Sequence, residues 1–140
     1  MTALASATFS PYHLGIDAMD AQHQRLFRLI ERFRQTAENH LLDNVGINAT
    51  REALEQLLEY TRLHFASEEK LLAQKRYPGL AAHRAKHREL EAGVVTLLDE
   101  IRAHKSRTTP LKLNLLATIW LMEHIAGDDK DYAQFVLSGR

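Results

Sequence analysis

The chain has 140 residues, 18 Lys and Arg against 18 Asp and Glu, and no cysteine. That length suits a single domain spanning 1–140. A net charge of zero leaves no basic footprint for nucleic acid, and the missing thiols exclude disulfides, thiolate zinc sites, iron–sulfur clusters and cysteine catalysis. Met1 to Ser10 carries no Lys or Arg and no apolar run nears the roughly 20 residues of a membrane span, so a cytoplasmic protein without a membrane partner is expected. After an N-terminal arm (1–16), a first helix is predicted from about Asp17, a plausible N-cap, to His40. Leu26, Phe27, Ile30, Phe33 and Ala37 recur in it at helical spacing. Asp43 to Asn48 reads as a loop. A second helix is predicted from about Ala49 to Lys75, with Leu54, Leu57, Leu58, Thr61, Phe65, Leu71 and Leu72 on one face, ended by Tyr77-Pro78-Gly79. The third runs from about Leu80 to His104 on Leu90, Val94, Leu97, Leu98 and Ile101. After a loop closed by Pro110, the fourth runs from about Leu111 to Ile125. Gly127 disturbs it, and the C-terminal tail (128–140) has room for one or two more turns. Short connections favour antiparallel neighbours, so the expected fold is all-α, an up-down-up-down four-helix bundle.

There are eight histidines, and their positions are informative. His23 precedes Leu26 by three and Ile30 by seven, on the apolar face of the first helix. His64 and Glu68 continue the row of Leu57 and Thr61, His83 and His87 lead into Leu90 and Val94, and His124 follows Trp120 by four. Every helix thus points an imidazole into the core. Each buried polar group without a partner costs on the order of 1–3 kcal/mol, and an unpaired carboxylate costs more. A lone core histidine is more often bonded to a carbonyl than to a metal. Five, joined by acids and converging from four helices, are satisfied together by a metal centre. His64 and Glu68 are i, i+4, as are His83 and His87, so each pair can reach one cluster. His13, His40 and His104 lie outside this set, before the first helix or at helix C-termini, and read as surface residues.

Five imidazoles and two acids are too many ligands for one zinc and too rich in nitrogen for magnesium or calcium. Imidazole suits iron, copper, nickel and zinc. Two octahedral ions bridged by two carboxylates and one solvent-derived oxygen would fill eleven of twelve positions, leaving one open for a small diatomic ligand. The carboxylate-rich bundles that activate oxygen carry Glu-x-x-His twice; this chain has none. Nitrogen-rich ligation favours holding dioxygen over cleaving it. The second acid is ambiguous: in an ideal helix Asp128 lies about 40° from His124 and Asp129 about 140°.

The motifs resemble those of the hemerythrin family. They are Gly15-Ile16-Asp17 with Asp20-Ala21-Gln22-His23; His64-Phe65-Ala66-Ser67-Glu68-Glu69; Tyr77-Pro78 with His83-Arg84-Ala85-Lys86-His87; and Trp120-Leu121-Met122-Glu123-His124-Ile125 with Asp129 and Tyr132. The resemblance spans about residues 9–136 and is closest to the single-domain bacterial members. It implies two iron ions (Fe2+/Fe3+), the first on His83, His87 and His124, the second on His23 and His64, bridged by Glu68, Asp129 and an oxo or hydroxo group. It implies an apolar oxygen pocket of Leu26, Phe65, Trp120 and Ile125. It also selects Asp129 over Asp128, which geometry allows if the helix ends, kinks or carries a π-bulge between Ile125 and Asp129. Gly127 in that interval would ease an irregular backbone, and Asp128 would then be a solvated surface acid. Glu68 is expected to bridge, and Glu69, about 100° further round, is not.

The implied function is reversible dioxygen binding by a carrier, store or sensor, not an enzyme. The chain is expected to be a monomer, with dioxygen as ligand and a protein recipient of oxygen or of a signal as a further partner. The alternatives on the same site are a di-iron enzyme reducing oxygen, peroxide or nitric oxide, a ferroxidase, and an iron-sensing regulatory module.

Overall fold

A computed structural model of the chain describes residues 12–38, 44–103 and 121–138. It is an all-α four-helix bundle. The first three helices are α1 (Asp17–Glu38), α2 (Asn44–Gln74) and α3 (Leu80–Arg102). The fourth is continuous but of mixed pitch: α4 (Leu121–His124), a π-helical turn (Ile125–Asp129) and α5 (Lys130–Leu137). Residues 104–120 lie outside the described part, and with them the predicted start of the fourth helix, Trp120 and His104; His40 does too. No helix among the described residues is long and apolar enough to cross a membrane.

Contacts fix the directions. Gln22 bonds Ser67 and Arg32 bonds Gln56, so α1 and α2 run antiparallel. Glu69 meets Arg88 and Glu55 meets Arg102, which sets α3 antiparallel to α2. His87 faces His124 and His83 faces Tyr132, which sets the last helix antiparallel to α3.

Helix ends follow local chemistry, with three departures from expectation. Asp17 is the first residue inside α1, not its cap. The carboxylate that ties down the arm is Asp20, which accepts the backbone N–H of Leu14 at 2.8 Å and of Gly15 at 3.0 Å. Helix α2 begins at Asn44, inside the predicted loop. Gly46 and the Asn residues are poor helix formers, but propensity is a weak prior where downstream apolar residues anchor the segment. The α2 terminus does not need Tyr77-Pro78-Gly79 to break it. Arg76 takes a left-handed φ of 54°, Arg76 N–H donates to Ala73 O at 3.1 Å, and Tyr77 N–H donates to Leu72 O at 2.9 Å. This is the Schellman closure, usually built on glycine. Gly79 then starts α3 where a Cβ would meet the Tyr77 ring at 2.8 Å.

Polar side chains interrupt each apolar stripe. The larger core contains Leu26, Ile30, Phe33, Leu54, Leu57, Phe65, Leu90, Val94 and Ile125. A smaller one contains Leu14, Met19, Leu72, Tyr132 and Ala133. Between them α1 places His23, α2 places His64 and Glu68, α3 places His83 and His87, and the fourth helix places His124 and Asp129, all buried. Burying a Leu, Ile or Phe contributes roughly 1.5–3 kcal/mol. The two cores thus hold the helices at the spacing that seals this polar layer.

Candidate metal centre

The buried layer resolves into two groups whose ligand atoms lie within 4.8 Å of one another: His83, His87, His124, Glu68 and Asp129, and His23, His64, Glu68 and Asp129. Both carboxylates belong to both groups, and each divides its oxygens between them. Glu68 Oε1 lies 2.7 Å from His83 Nε2 and 3.0 Å from His87 Nε2, while Oε2 lies 3.3 Å from His64 Nε2 and 3.7 Å from His23 Nε2. Asp129 Oδ1 is 3.1 Å from His83 Nε2 and 3.2 Å from His124 Nε2, and Oδ2 is 3.2 Å from His23 Nε2. All five imidazoles turn Nε2 inward.

Two further features fit this donor set to a pair of cations. Imidazole nitrogens face each other at 3.0 Å (His23 and His64) and 3.1 Å (His87 and His124). Both Asp129 oxygens are buried without a hydrogen-bond partner. A bare buried carboxylate is costly alone, and it and the inward imidazole nitrogens are satisfied together by metal ions between them. Burial pushes the Glu68 carboxyl up, but hydrogen bonds from His23, His64, His83 and His87 outweigh it and hold it well below the usual carboxylate range. Burial lowers His23 and His83, yet Asp129 and Glu68 raise both to about 9. His124 is lowered by its burial despite Asp129 and Asp128 nearby.

The π-helical turn explains how Asp129 arrives. In an α-helix i+5 points away from i, but a π turn adds a residue and brings it back over the same face. Gly127 does not need special conformational freedom here: its φ is not in the left-handed region and a Cβ would meet nothing within 4 Å. Asp128 corrects the expectation of a merely solvated acid. Its side chain is 46% exposed, but Oδ2 lies 2.8 Å from His124 Nδ1. Glu69 faces away from the carboxylate-sharing centre, yet its Oε2 lies 2.7 Å from His87 Nδ1, with Arg88 holding it from the far side at 2.7 and 2.9 Å.

Spacing along the chain does not assign these outer contacts. Gln22 Oε1 lies 2.7 Å from His64 Nδ1, and the fully buried Tyr132 hydroxyl donates to Glu68 Oε2 at 2.8 Å. Gln22 and Tyr132 stand inside the family motifs, but a polar residue one place off the apolar stripe reads as surface until the neighbouring helix is present. Of the four apolar positions, Leu26, Phe65 and Ile125 are buried in the larger core. Phe65 stacks flat on His87, with centroids 3.7 Å apart and planes 2° from parallel. Trp120 is outside the described residues. His13 is partly exposed, with Nδ1 3.4 Å from Asp20 Oδ2, away from the cluster. A surface pocket of about 340 Å³ reaches the layer at His83, between Tyr77, Lys86, Asp128 and Asp131.

The chain is similar to known proteins over most of its length. The family described as the hemerythrin HHE cation binding domain matches residues 14–136. The chain is 30% identical over 124 residues to a bacteriohemerythrin of Stenotrophomonas maltophilia, covering 89% of this chain and 76% of that one. It is 27% identical to a bacteriohemerythrin of Methylococcus capsulatus, over 93% and 95% of the two chains. It is 32% identical to a myohemerythrin of Riftia pachyptila, over 86% and 85%.

Proposed function

The chain belongs to the hemerythrin family, and from this premise we propose that it binds dioxygen reversibly at a non-haem di-iron centre, as a carrier, store or sensor rather than an enzyme. The observation that carries the reading is the division of Glu68 and Asp129, each presenting one oxygen to the three-histidine group and the other to the two-histidine group. Carboxylates so placed would offer one oxygen to each of two ions. His83, His87 and His124 would hold one iron, and His23 and His64 the other. The group with fewer imidazoles would leave its ion room for a small diatomic ligand.

The iron pair, when bound, supplies the two electrons that dioxygen takes up on binding and returns on release. The protein's part is to hold and seal. Gln22, Glu69 and Asp128 accept at the outer nitrogens of His64, His87 and His124, which fixes the tautomer and leaves Nε2 free for metal. The Tyr132 hydroxyl pins the Glu68 oxygen on the two-histidine side. Leu26, Phe65 and Ile125, with Trp120 from the matching motif, would line the diatomic site. An apolar wall keeps water and stray protons from the bound ligand, so that it leaves unchanged.

The test is an absorption spectrum of the iron-loaded, reduced protein under argon, in dioxygen, and after removal of dioxygen. A charge-transfer band that appears with oxygen and disappears on degassing is expected. Steady oxygen consumption with a reductant, and no reversible band, would make the chain a reductase on the same site.

A further inference from the structure

The outer nitrogens of the clustered imidazoles are served unequally. In the three-histidine group, His87 Nδ1 and His124 Nδ1 each meet a carboxylate, Glu69 at 2.7 Å and Asp128 at 2.8 Å. In the two-histidine group, His64 Nδ1 meets the neutral carboxamide oxygen of Gln22 at 2.7 Å. His23 Nδ1 is buried with no hydrogen-bond partner.

This difference has a chemical consequence. A carboxylate accepting the Nδ1 proton pushes electron density through the ring and makes Nε2 a stronger donor to a cation. A neutral amide does so less, and a bare N–H not at all. Glu69 is held firmly in place, since Arg88 bonds it twice and Arg84 Nε lies 3.4 Å from its Oε1. Asp128 is half open to solvent, which screens its charge. The three-histidine group also has one more imidazole. Once an ion sits there, Glu68 and Asp129 have given part of their charge to it before a second ion arrives.

We propose that the two subsites are graded: the subsite of His83, His87 and His124 fills first and binds more tightly, and the outer residues Glu69 and Asp128, against Gln22, set part of the gap. The proposal rests on the two-ion reading above. It assigns positioning roles to three residues that do not face the ions, and it makes a one-ion form the species present when metal is scarce.

The test is an anaerobic titration of the metal-free full chain with cobalt(II), followed by visible absorption and calorimetry. Two resolved steps of one ion each are expected. Glu69→Gln keeps a hydrogen-bond acceptor but loses the charge, and should weaken the first step by about 10-fold with a smaller change in the second. Asp128→Asn should act in the same direction by a few-fold. Gln22→Glu should tighten the second step and narrow the gap, a gain that misfolding cannot produce; far-UV circular dichroism of each metal-free variant checks the fold. Two ions bound in one unresolved step would overturn the grading, and Glu69→Gln and Gln22→Glu each shifting both steps by the same factor would overturn the part given to the outer residues, either result leaving the two-ion centre intact. Fewer than two cobalt ions at saturation would overturn the two-ion reading itself, and the grading with it.

Discussion

Helix α2 and the fourth helix each deliver one histidine and one carboxylate to the same buried layer, by different backbones. In α2, His64 and Glu68 are four residues apart on a regular α-helix. In the fourth, His124 and Asp129 are five apart, and the π-helical turn Ile125–Asp129 takes up the extra residue. Both acids end fully buried with their two oxygens split between the two imidazole groups. The neighbours one place off register, Glu69 and Asp128, also end in equivalent posts, each accepting at the outer nitrogen of a histidine. Regular and irregular helix therefore reach one arrangement: an acid inside, shared between the two imidazole groups, and an acid outside, at the outer nitrogen of a histidine. What differs is legibility, because a period of 3.6 predicts the first pair and contradicts the second.

The equivalence can be broken most directly at Glu68. Glu68→Ala removes the carboxylate common to both groups and should reduce iron from two per chain to near none, measured by metal analysis after anaerobic reconstitution. Two retained ions would show that the α2 acid is not a bridge. Next in size is the pair at the π turn. Asp129→Asn should leave fewer than two irons per chain, whereas Asp128→Asn should keep two, held more weakly by less than about tenfold. The opposite ranking would mean that the helix presents i+4, as an unbroken α-helix would, and that the two helices are alike after all.

The metal-free chain offers a third comparison, in protons. His23 and His83, which face both acids, are raised from 6.5 to about 9. A raised histidine contributes stability that is complete below about pH 6.5 and lost as the pH climbs through about 9. Melting temperatures of the chelated protein should fall across that window. They should also fall less in Asp129→Asn, where His23 and His83 lose one of their two partners. A flat profile in the parent chain would show that these imidazoles are not held as cations by the acids. The smallest effect is at Gly127. Since a Cβ there meets nothing and its φ is not left-handed, Gly127→Ala should stabilise the fourth helix by about 0.5–1 kcal/mol in urea unfolding and keep both irons. A loss of iron would mean that the π turn depends on glycine after all.

Among the described residues, the sequence by itself determined the order of the helices and the positions of α1, α2 and α3 that turn inward, because helical periodicity of apolar residues is a local property that burial merely reads out. It also brought His64 with Glu68 and His83 with His87, since one turn of a regular helix sets that spacing without help from neighbours. The early start of α2 at Asn44 and its left-handed stop at Arg76 were not legible, because weak helix formers and a non-glycine cap are tolerated only when packing compensates. The same limit applied to the helical period at Asp129, whose approach depends on a π turn; only the family resemblance selected that acid over Asp128. It applied again to Gln22, Glu69, Asp128 and Tyr132, whose partners lie on another helix or across that turn. Only the tertiary structure decides such contacts: the outer side of a buried imidazole must find an acceptor, and which residue supplies it depends on how helices meet, not on any period within one of them.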